Sequence, residues 1–258
     1  MPNVTHEKHH FGHLYEWPAG GHEWSSPWYS APDQWVHTIY RRIFNLLPTR
    51  FVLEIAPGMG RWTPHLLNYC SHYAGIDIAE RCIEHCRRAY GQLHSRPTFL
   101  VGDGLSLAGI PDNSVSLVFS FDSLVHVDFD CIASYAPEIY RVLEPGGRAF
   151  VHHSNLGEYV KDGELTVEPA YRRDPTVTAE LAAGVFQGAG LVSLVHEKFQ
   201  WCQSEPFGDC FSLLAKPKAG AAVPIQDPTQ KIFYNNSFRE EVAYCRLLGS
   251  RYTAATGV

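Results

Sequence analysis

The sequence predicts an α/β protein: a seven-stranded, mostly parallel sheet with helices on both faces and a C-terminal antiparallel hairpin. Between residues 49 and 216, short apolar runs alternate with segments of helical spacing, the pattern of parallel strands joined by crossover helices. Two apolar runs at 191–201 and 210–215 have no helical segment between them, which indicates the hairpin. A glycine turn follows the first run, at Gly58 and Gly60.

Composition narrows the class of protein. The chain has 258 residues, 45% hydrophobic and 19% charged, which suits one α/β domain with additional segments. A net charge of −6 argues against nucleic acid as a partner. Seven cysteines without a Cys-x-x-Cys pair indicate neither a disulfide framework nor a structural zinc site, so a cytoplasmic protein is expected. No run reaches transmembrane length, and no membrane partner is expected.

Residues 1–48 are predicted to form an N-terminal arm and a helix. Residues 1–32 lack periodicity, and their four closely spaced histidines, from His6 to His13, fit either a surface arm or a metal site. Trp24 and Trp28 favour an arm that folds back over the sheet edge or the ligand crevice, either as a lid or part of an acceptor pocket or through plain packing. Helical spacing over 33–47 predicts a helix that ends before Pro48.

The segment 51–60 predicts a strand, a tight turn and the start of a helix. Ligands of open α/β sheets bind beyond the carboxyl ends of the strands, where glycine lets the backbone approach them closely. A dinucleotide site would need glycine at position 63, which is Thr63, and Glu54 would repel a pyrophosphate. Glu54 instead suits a ligand with an amino group and a sulfonium, and Asp77 can accept the hydroxyls of a ribose.

Residues 54–60 together with Asp77 resemble the cofactor-binding half of class I S-adenosylmethionine-dependent methyltransferases. Ala56 replaces the first glycine of the usual Glu/Asp-x-Gly-x-Gly-x-Gly, and a Leu-x-Pro-Gly-Gly sequence at 143–147 is also typical of that class. The resemblance covers about residues 50–216, which implies a Rossmann-like domain over 49–216 and S-adenosyl-L-methionine as cofactor. It implies that the cofactor is bound by Glu54, Ala56, Gly58, Gly60, Asp77, Ile78, Asp103, Gly104 and Phe121.

The remaining elements follow in order. Helices are predicted at 79–90, 130–143 and 178–189, and strands at 98–101, 115–120 and 148–153. Pro137 predicts a kink or two shorter helices within 130–143. Asp103 after the third strand is expected, by resemblance, to contact the adenine amino group, and a simple turn residue is the alternative. Residues 217–258 are predicted to be a linker, over 217–232, followed by a short amphipathic helix at 238–248.

Methyl transfer to a hydroxyl needs a base, and histidine is the commonest one. His126 follows the fourth strand, and His152 and His153 end the fifth, where alternation lets at most one of that pair face the acceptor. We expect His126 to be the general base, oriented by Asp122 or Asp128, with a fifth-strand histidine binding the acceptor. The same aspartates and histidines could instead hold a divalent metal that polarises two hydroxyls.

The acceptor is predicted to be a small molecule, with a saccharide as the first expectation. The segments 23–28, 54–63, 119–126 and 152–155 resemble a bacterial subgroup of sugar O-methyltransferases. Tryptophan and tyrosine with scattered polar groups suit the C–H faces and hydroxyls of a saccharide. An O-methyltransferase of phenols, an N- or C-methyltransferase and a non-catalytic S-adenosylmethionine-binding protein are the alternatives. The sequence leaves metal dependence and homo-oligomer formation open.

Overall fold

A computed structural model gives the fold and describes residues 4–93, 97–168, 172–202, 204–218, 220, 227–236 and 239–247. The strands are β1 Thr49–Ile55, β2 Cys70–Asp77, β3 Thr98–Val101, β4 Val115–Ser120, β5 Leu143–Ser154, β6 Val160–Lys161, β7 Glu164–Leu165, β8 Val192–Phe199, β9 Asp209–Ala215 and β10 Ile232–Asn235. The α-helices are α1 Val4–His9, α2 Ala31–Gln34, α3 Arg41–Ile43, α4 Thr63–Leu67, α5 Glu80–Tyr90, α6 Phe129–Val142 and α7 Ala179–Gly188. Residues 239–247 are also helical, within the predicted 238–248, whose two end residues lie outside the described part.

The main sheet has the order β10-β8-β9-β5-β4-β1-β2-β3. Every neighbouring pair is parallel except those of β9, which runs antiparallel to both β5 and β8. The mostly parallel, Rossmann-like sheet and its C-terminal hairpin are therefore confirmed. β6 and β7 form a separate two-stranded ribbon.

The main sheet has eight strands, so the predicted count of seven was wrong. The additional strand, β10, pairs with β8 and lies in and just beyond the segment predicted as a linker. Its four residues are too few to show an alternating pattern, and the exposed edge of β8 supplies the pairing that local sequence does not. The sheet thus extends past residue 216, where the predicted domain ends.

Several element boundaries also differ from the predictions. The helix predicted to begin after the glycine turn is the short α4, and Cys70 already begins β2. β5 begins at Leu143, five residues before the predicted strand 148–153, and its pairing with β4 is irregular at that start. α6 is a single helix with Pro137 inside it, so of the two predicted alternatives, a kink or two shorter helices, the second was wrong. Its apolar face is buried in the core, and that burial outweighs the hydrogen bond lost at proline.

Two apolar clusters lie on opposite faces of the sheet. One face packs against α6 and α7, and the other against α5 and a helical stretch over 31–46. That stretch includes α2 and α3, joined by a π-helical segment, Trp35–Tyr40, and followed by a 3-10 turn, Phe44–Leu46. Ser30 caps its start, because its hydroxyl accepts the N–H of Asp33 at 3.1 Å.

The N-terminal arm, residues 4–28, crosses the edge of the sheet where the parallel strands end. Val4 and Trp17 press against two glycines of that edge: a Cβ added to Gly104 would lie 2.6 Å from Val4, and one added to Gly58 would lie 2.8 Å from the Trp17 ring. Arg81 of α5 donates to the carbonyl of Phe11 at 2.8 Å, which fastens the arm to the domain. Among the residues described, no helix is long and apolar enough to cross a membrane.

Candidate active site

The turn after β1 and the end of β2 are tied together by Asp77. Its Oδ2 accepts the N–H of Gly58 at 2.9 Å, and its Oδ1 accepts the N–H of Ala79 at 2.8 Å. Burial raises the pKa of Asp77 to about 6, although these backbone donors favour the charged form and lower the pKa. The turn itself is left-handed at three positions, and Ala56, with φ of +56°, takes this conformation without being glycine.

Glu54 lies behind this turn and supports it. The side chain is buried, and Oε2 accepts hydrogen bonds from the hydroxyls of Thr63, at 2.9 Å, and Tyr73. Burial raises the pKa of Glu54 to about 7, although both hydroxyls favour the charged form. Both carboxylates thus support the turn, but of the two only Asp77 lines the cavities beside it.

Three small cavities follow one another along the sheet edge, and we call them together the edge cleft. Ala56 lines all three. Asp77 and Ile78 line two of them, one of which also reaches Gly102 and Gly104. The third lies beside the glycine turn and is lined by Phe121. The N-terminal arm covers the cleft with Val4, Glu7, Phe11, Trp17 and Trp24.

A larger cavity of about 300 Å³, the aromatic pocket, adjoins the cleft. Its aromatic walls are Phe11, Tyr15, Trp24, Trp28 and Trp201, and its polar lining is His10, Glu23, Gln34, Asp122, His126, Arg172 and Arg173. Phe11, Trp24, Asp122 and His126 also line the middle cavity of the edge cleft. These four residues therefore form the junction between the two spaces.

A ring of charged groups fixes the loop after β4. Asp122 accepts from Arg61 Nη2 at 2.9 Å and lies 3.5 Å from Nη2 of Arg173. Arg173 Nε donates to Asp209 Oδ1 at 2.6 Å. Burial alone would raise the pKa of Asp122, but the two guanidinium groups outweigh it and lower that pKa to about 2. Asp122 is therefore a constant negative charge between two arginines.

His152 completes this ring. Nδ1 of its imidazole accepts the backbone N–H of Asp122 at 3.0 Å, so the imidazole proton must be on Nε2. Nε2 lies 2.8 Å from Asp209 Oδ1. Both nitrogens of this fully buried side chain are occupied. His152 positions the loop and does not line the aromatic pocket. It therefore does not have the acceptor-binding position expected of one fifth-strand histidine.

His153 also lies outside the pocket. Its Nε2 is 2.8 Å from Ser212 Oγ, its Nδ1 is 2.8 Å from the carbonyl of Ser154, and its ring packs near Phe186 of α7. Alternation along β5 directs it to the face opposite His152. The structure therefore brings neither histidine of the pair to the acceptor side.

His126 is the one of the three histidines with an unoccupied ring nitrogen. Its Nδ1 is buried and has no hydrogen-bond partner, whereas both ring nitrogens of His152 and His153 are engaged. The backbone of Arg172 favours the charged form of the His126 ring. Burial and the nearby Arg173 lower the pKa of His126 to about 4. The ring is therefore neutral near pH 7.

The two remaining predicted aspartates have local roles. Asp128 caps α6 by accepting the N–H of Cys131 at 3.0 Å. Asp103 is exposed and accepts the N–H groups of Leu105 and Ser106 in its turn, and its contact with the adenine amino group stays a prediction. In the described part of the chain, no group of three or more His, Cys, Asp or Glu is arranged to hold a metal ion. Asp122, Asp128 and the histidines do not converge as a metal site would require.

Four residues of this region were not predicted from the sequence. Arg173 and Asp209 complete the ring around Asp122, and Gln34 and Glu7 each bury one polar atom that has no partner. Gln34 lines the aromatic pocket, and Glu7 lines the edge cleft. None of the four lies in a recognisable motif, and only the fold brings them to the site.

The comparisons with known proteins agree with this geometry. Residues 52–147 match a family described as a methyltransferase domain. Phosphoethanolamine N-methyltransferase 1 of Triticum aestivum is 28% identical over 137 residues, which are 52% of this chain and 27% of that protein. A probable S-adenosylmethionine-dependent methyltransferase of Mycolicibacterium smegmatis is 27% identical over 168 residues, which are 60% of this chain and 63% of that protein. The chain thus spans less than two thirds of either relative.

Residues 52–147 thus match a methyltransferase domain, and the sheet around them has the fold of solved class I methyltransferase-like structures. The crystal structure of the cyclase SpnF shares the fold, with a TM-score of 0.55 and 19% identity over 72% of this chain and 81% of that one. The methyltransferase domain takes S-adenosylmethionine as its cofactor, and its residues fit that ligand. Asp77 lines the edge cleft at the end of β2, the glycine turn exposes backbone there, and Glu7 offers a carboxylate oxygen without a partner.

The raised pKa of Glu54 makes the stability of the methyltransferase domain depend on pH. The pKa of Glu54 is higher in the folded state than its value of about 4.5 in the unfolded chain. Its contribution to the stability of the folded state is therefore fully present below pH 4.5 and is lost as the pH rises through 7. The free energy of unfolding, from urea denaturation, should therefore fall by on the order of 2 kcal/mol between pH 5 and 7.5. The raised pKa of Asp77 changes the free energy of unfolding in the same direction. The lowered pKa of Asp122 changes it only below about pH 4, where the stabilisation by the charged carboxylate is lost as the pH falls.

Glu54→Gln removes this titration while it keeps a carbonyl that accepts from Thr63 and Tyr73. The decline between pH 5 and 7.5 should become clearly shallower in this variant. An unchanged slope would show that Glu54 ionises normally in the folded state.

Proposed function

We propose that this protein is an S-adenosylmethionine-dependent O-methyltransferase, whose acceptor is a small hydroxylated molecule in the aromatic pocket and whose general base is His126. The observation that carries the proposal is the free Nδ1 of His126 at the junction of pocket and cleft. When bound, S-adenosylmethionine supplies an electrophilic methyl group on a sulfonium.

The position of His126 suits removal of a proton from an acceptor hydroxyl. A hydroxyl is protonated near pH 7, so a base must accept its proton as it becomes a nucleophile. Nδ1 has no protein partner and so can present the lone pair of the neutral ring, and the low pKa keeps the ring in this neutral form. The ring of Phe11, with its centroid 5.8 Å from that of His126, shields the junction from water.

The lining of the aromatic pocket supports a saccharide or another polyhydroxylated acceptor. Trp28 and Trp201, with ring centroids 4.7 Å apart, offer flat apolar surface for C–H groups. The buried Oε1 of Gln34 has no partner and can accept a hydrogen bond from a second hydroxyl. Charges near the pocket largely cancel, since Arg61 and Arg173 pair with Asp122 and Asp209. A neutral acceptor fits this balance better than a strongly charged one.

The N-terminal arm completes this site, and we propose that it acts as a lid. Phe11, Tyr15 and Trp24 come from the arm and line the pocket. Glu23 braces the arm internally, because it accepts from the Tyr15 hydroxyl at 2.7 Å and from the N–H of Gly21 at 2.9 Å. Residues 4–28 thus form an ordered cover whose displacement would open both pocket and cleft.

N-methylation of an amine is the second candidate. The relative from Triticum aestivum is named as a phosphoethanolamine N-methyltransferase. Aromatic walls such as those of the pocket also attract ammonium groups through cation–π interactions. A neutral amine is already nucleophilic, so this reaction depends less on a base.

The base assignment predicts that His126→Ala lowers turnover by about 100-fold or more, the usual contribution of a general base. Affinity for S-adenosylhomocysteine should change by less than about threefold, because a base adds little to cofactor binding. Turnover would be measured as S-adenosylhomocysteine release across mono- and oligosaccharides, phenols and amines. His9→Ala, at an exposed position of α1, is the matched control and should keep wild-type turnover. Full activity of His126→Ala on a hydroxyl acceptor would refute the base, and full activity confined to amines would favour N-methylation.

The cofactor assignment predicts that Asp77→Ala binds S-adenosylhomocysteine about 10- to 100-fold more weakly in calorimetric titration, as expected for loss of hydrogen bonds to a carboxylate. Asp103→Ala should weaken binding much less, since its carboxylate is exposed and engaged in its own turn. Circular dichroism would confirm that both variants are folded. Equal affinities in the two variants would show that Asp77 does not contact the ribose.

A further inference from the structure

Glu7 has an unusual environment for a residue of a short surface helix. Thr5, His6, Lys8 and His9 of α1 are exposed, whereas Glu7 is only 2% exposed. Oε1 of its carboxylate accepts from Arg172 Nη2, but Oε2 is buried without any partner. α1 thus turns its acidic residue toward the domain.

A buried carboxylate oxygen without a partner is costly, because it has lost water and gained no donor in return. The ion pair with Arg172 satisfies only one of the two oxygens. A purely structural role would leave this cost uncompensated. A donor from a ligand would remove it.

The position of Glu7 indicates which ligand group supplies the donor. Glu7 lines two cavities of the edge cleft, and both are also lined by Asp77 and Ile78 at the end of β2. One of these cavities extends to Gly102 and Gly104 after β3. Glu7 does not line the third cavity, which lies beside the glycine turn.

We infer that Glu7 is a cofactor-binding residue supplied by the N-terminal arm, whose free oxygen accepts a hydrogen bond from the adenosine moiety of S-adenosylmethionine. The inference rests on the proposed function, since it requires that cofactor in the edge cleft. Adenosine offers the donors that a carboxylate needs, in its ribose hydroxyls and its exocyclic amine. Because Glu7 also holds Arg172, which lines the aromatic pocket, it links the cofactor cleft to the acceptor side.

The test is calorimetric titration of the full chain with S-adenosylhomocysteine and with 5′-methylthioadenosine, which has the adenosine but no amino acid. Glu7→Leu, which has no acceptor, should bind both ligands about 10- to 100-fold more weakly, by the same factor. Glu7→Gln keeps an oxygen acceptor without the charge and should lose less. Glu16→Gln, at an exposed glutamate of the same arm, is the matched control and should bind both ligands like the wild type. Near-ultraviolet circular dichroism of the arm tryptophans would report whether the arm stays docked in each variant.

Each outcome decides the inference. Binding of both ligands by Glu7→Leu within twofold of the wild type would overturn it, as would a loss confined to S-adenosylhomocysteine, which would place Glu7 at the amino-acid end. If Glu7→Leu does not fold or undocks the arm, the docked Glu7→Gln variant decides by the same comparison. A wild type that binds neither ligand would instead refute the proposed function, and the inference with it.

Discussion

The candidate site depends on the ion pairs that Asp122 makes with two buried arginines. Its carboxylate pairs with Arg61 after the glycine turn and with Arg173, while its backbone N–H is held by His152 of β5. Removal of this one carboxylate would leave the buried guanidinium group of Arg61 without its counter-charge and Arg173 with Asp209 alone, and an unpaired buried charge is strongly destabilising. The same contacts fix the loop that carries His126. The position of the proposed base therefore follows from an ion network whose members come from separate parts of the chain.

The N-terminal arm converts an open sheet edge into two partly covered spaces. Phe11 and Trp24 line both the edge cleft and the aromatic pocket, so one displacement of the arm would open both. Partial enclosure strengthens the charge interactions inside, since low-dielectric surroundings replace part of the water. Glu7 and His126 each retain an unpaired polar atom there, and these are the atoms to which we assign ligand contacts in our proposals.

Sequence patterns predicted the parts of this molecule that are locally determined. The apolar runs of the parallel strands, the turn with Asp77 and the histidine after β4 all follow from period and position along the chain. β10 and the length of β5 could not be predicted, because pairing with a neighbouring strand sets them. His152 and His153 looked like site residues, yet the core satisfies them through Asp209 and Ser212, which lie more than fifty positions away. Glu7, likewise, acquires its environment only when the arm folds back.

A crystal structure of the complex with S-adenosylhomocysteine would test the assignment of His126 as the general base. That assignment requires the thioether sulfur to lie at the junction lined by Asp122 and His126, with Nδ1 of His126 facing it. A sulfur directed away from this junction, or a His126 ring whose Nδ1 is bonded to the protein, would contradict it.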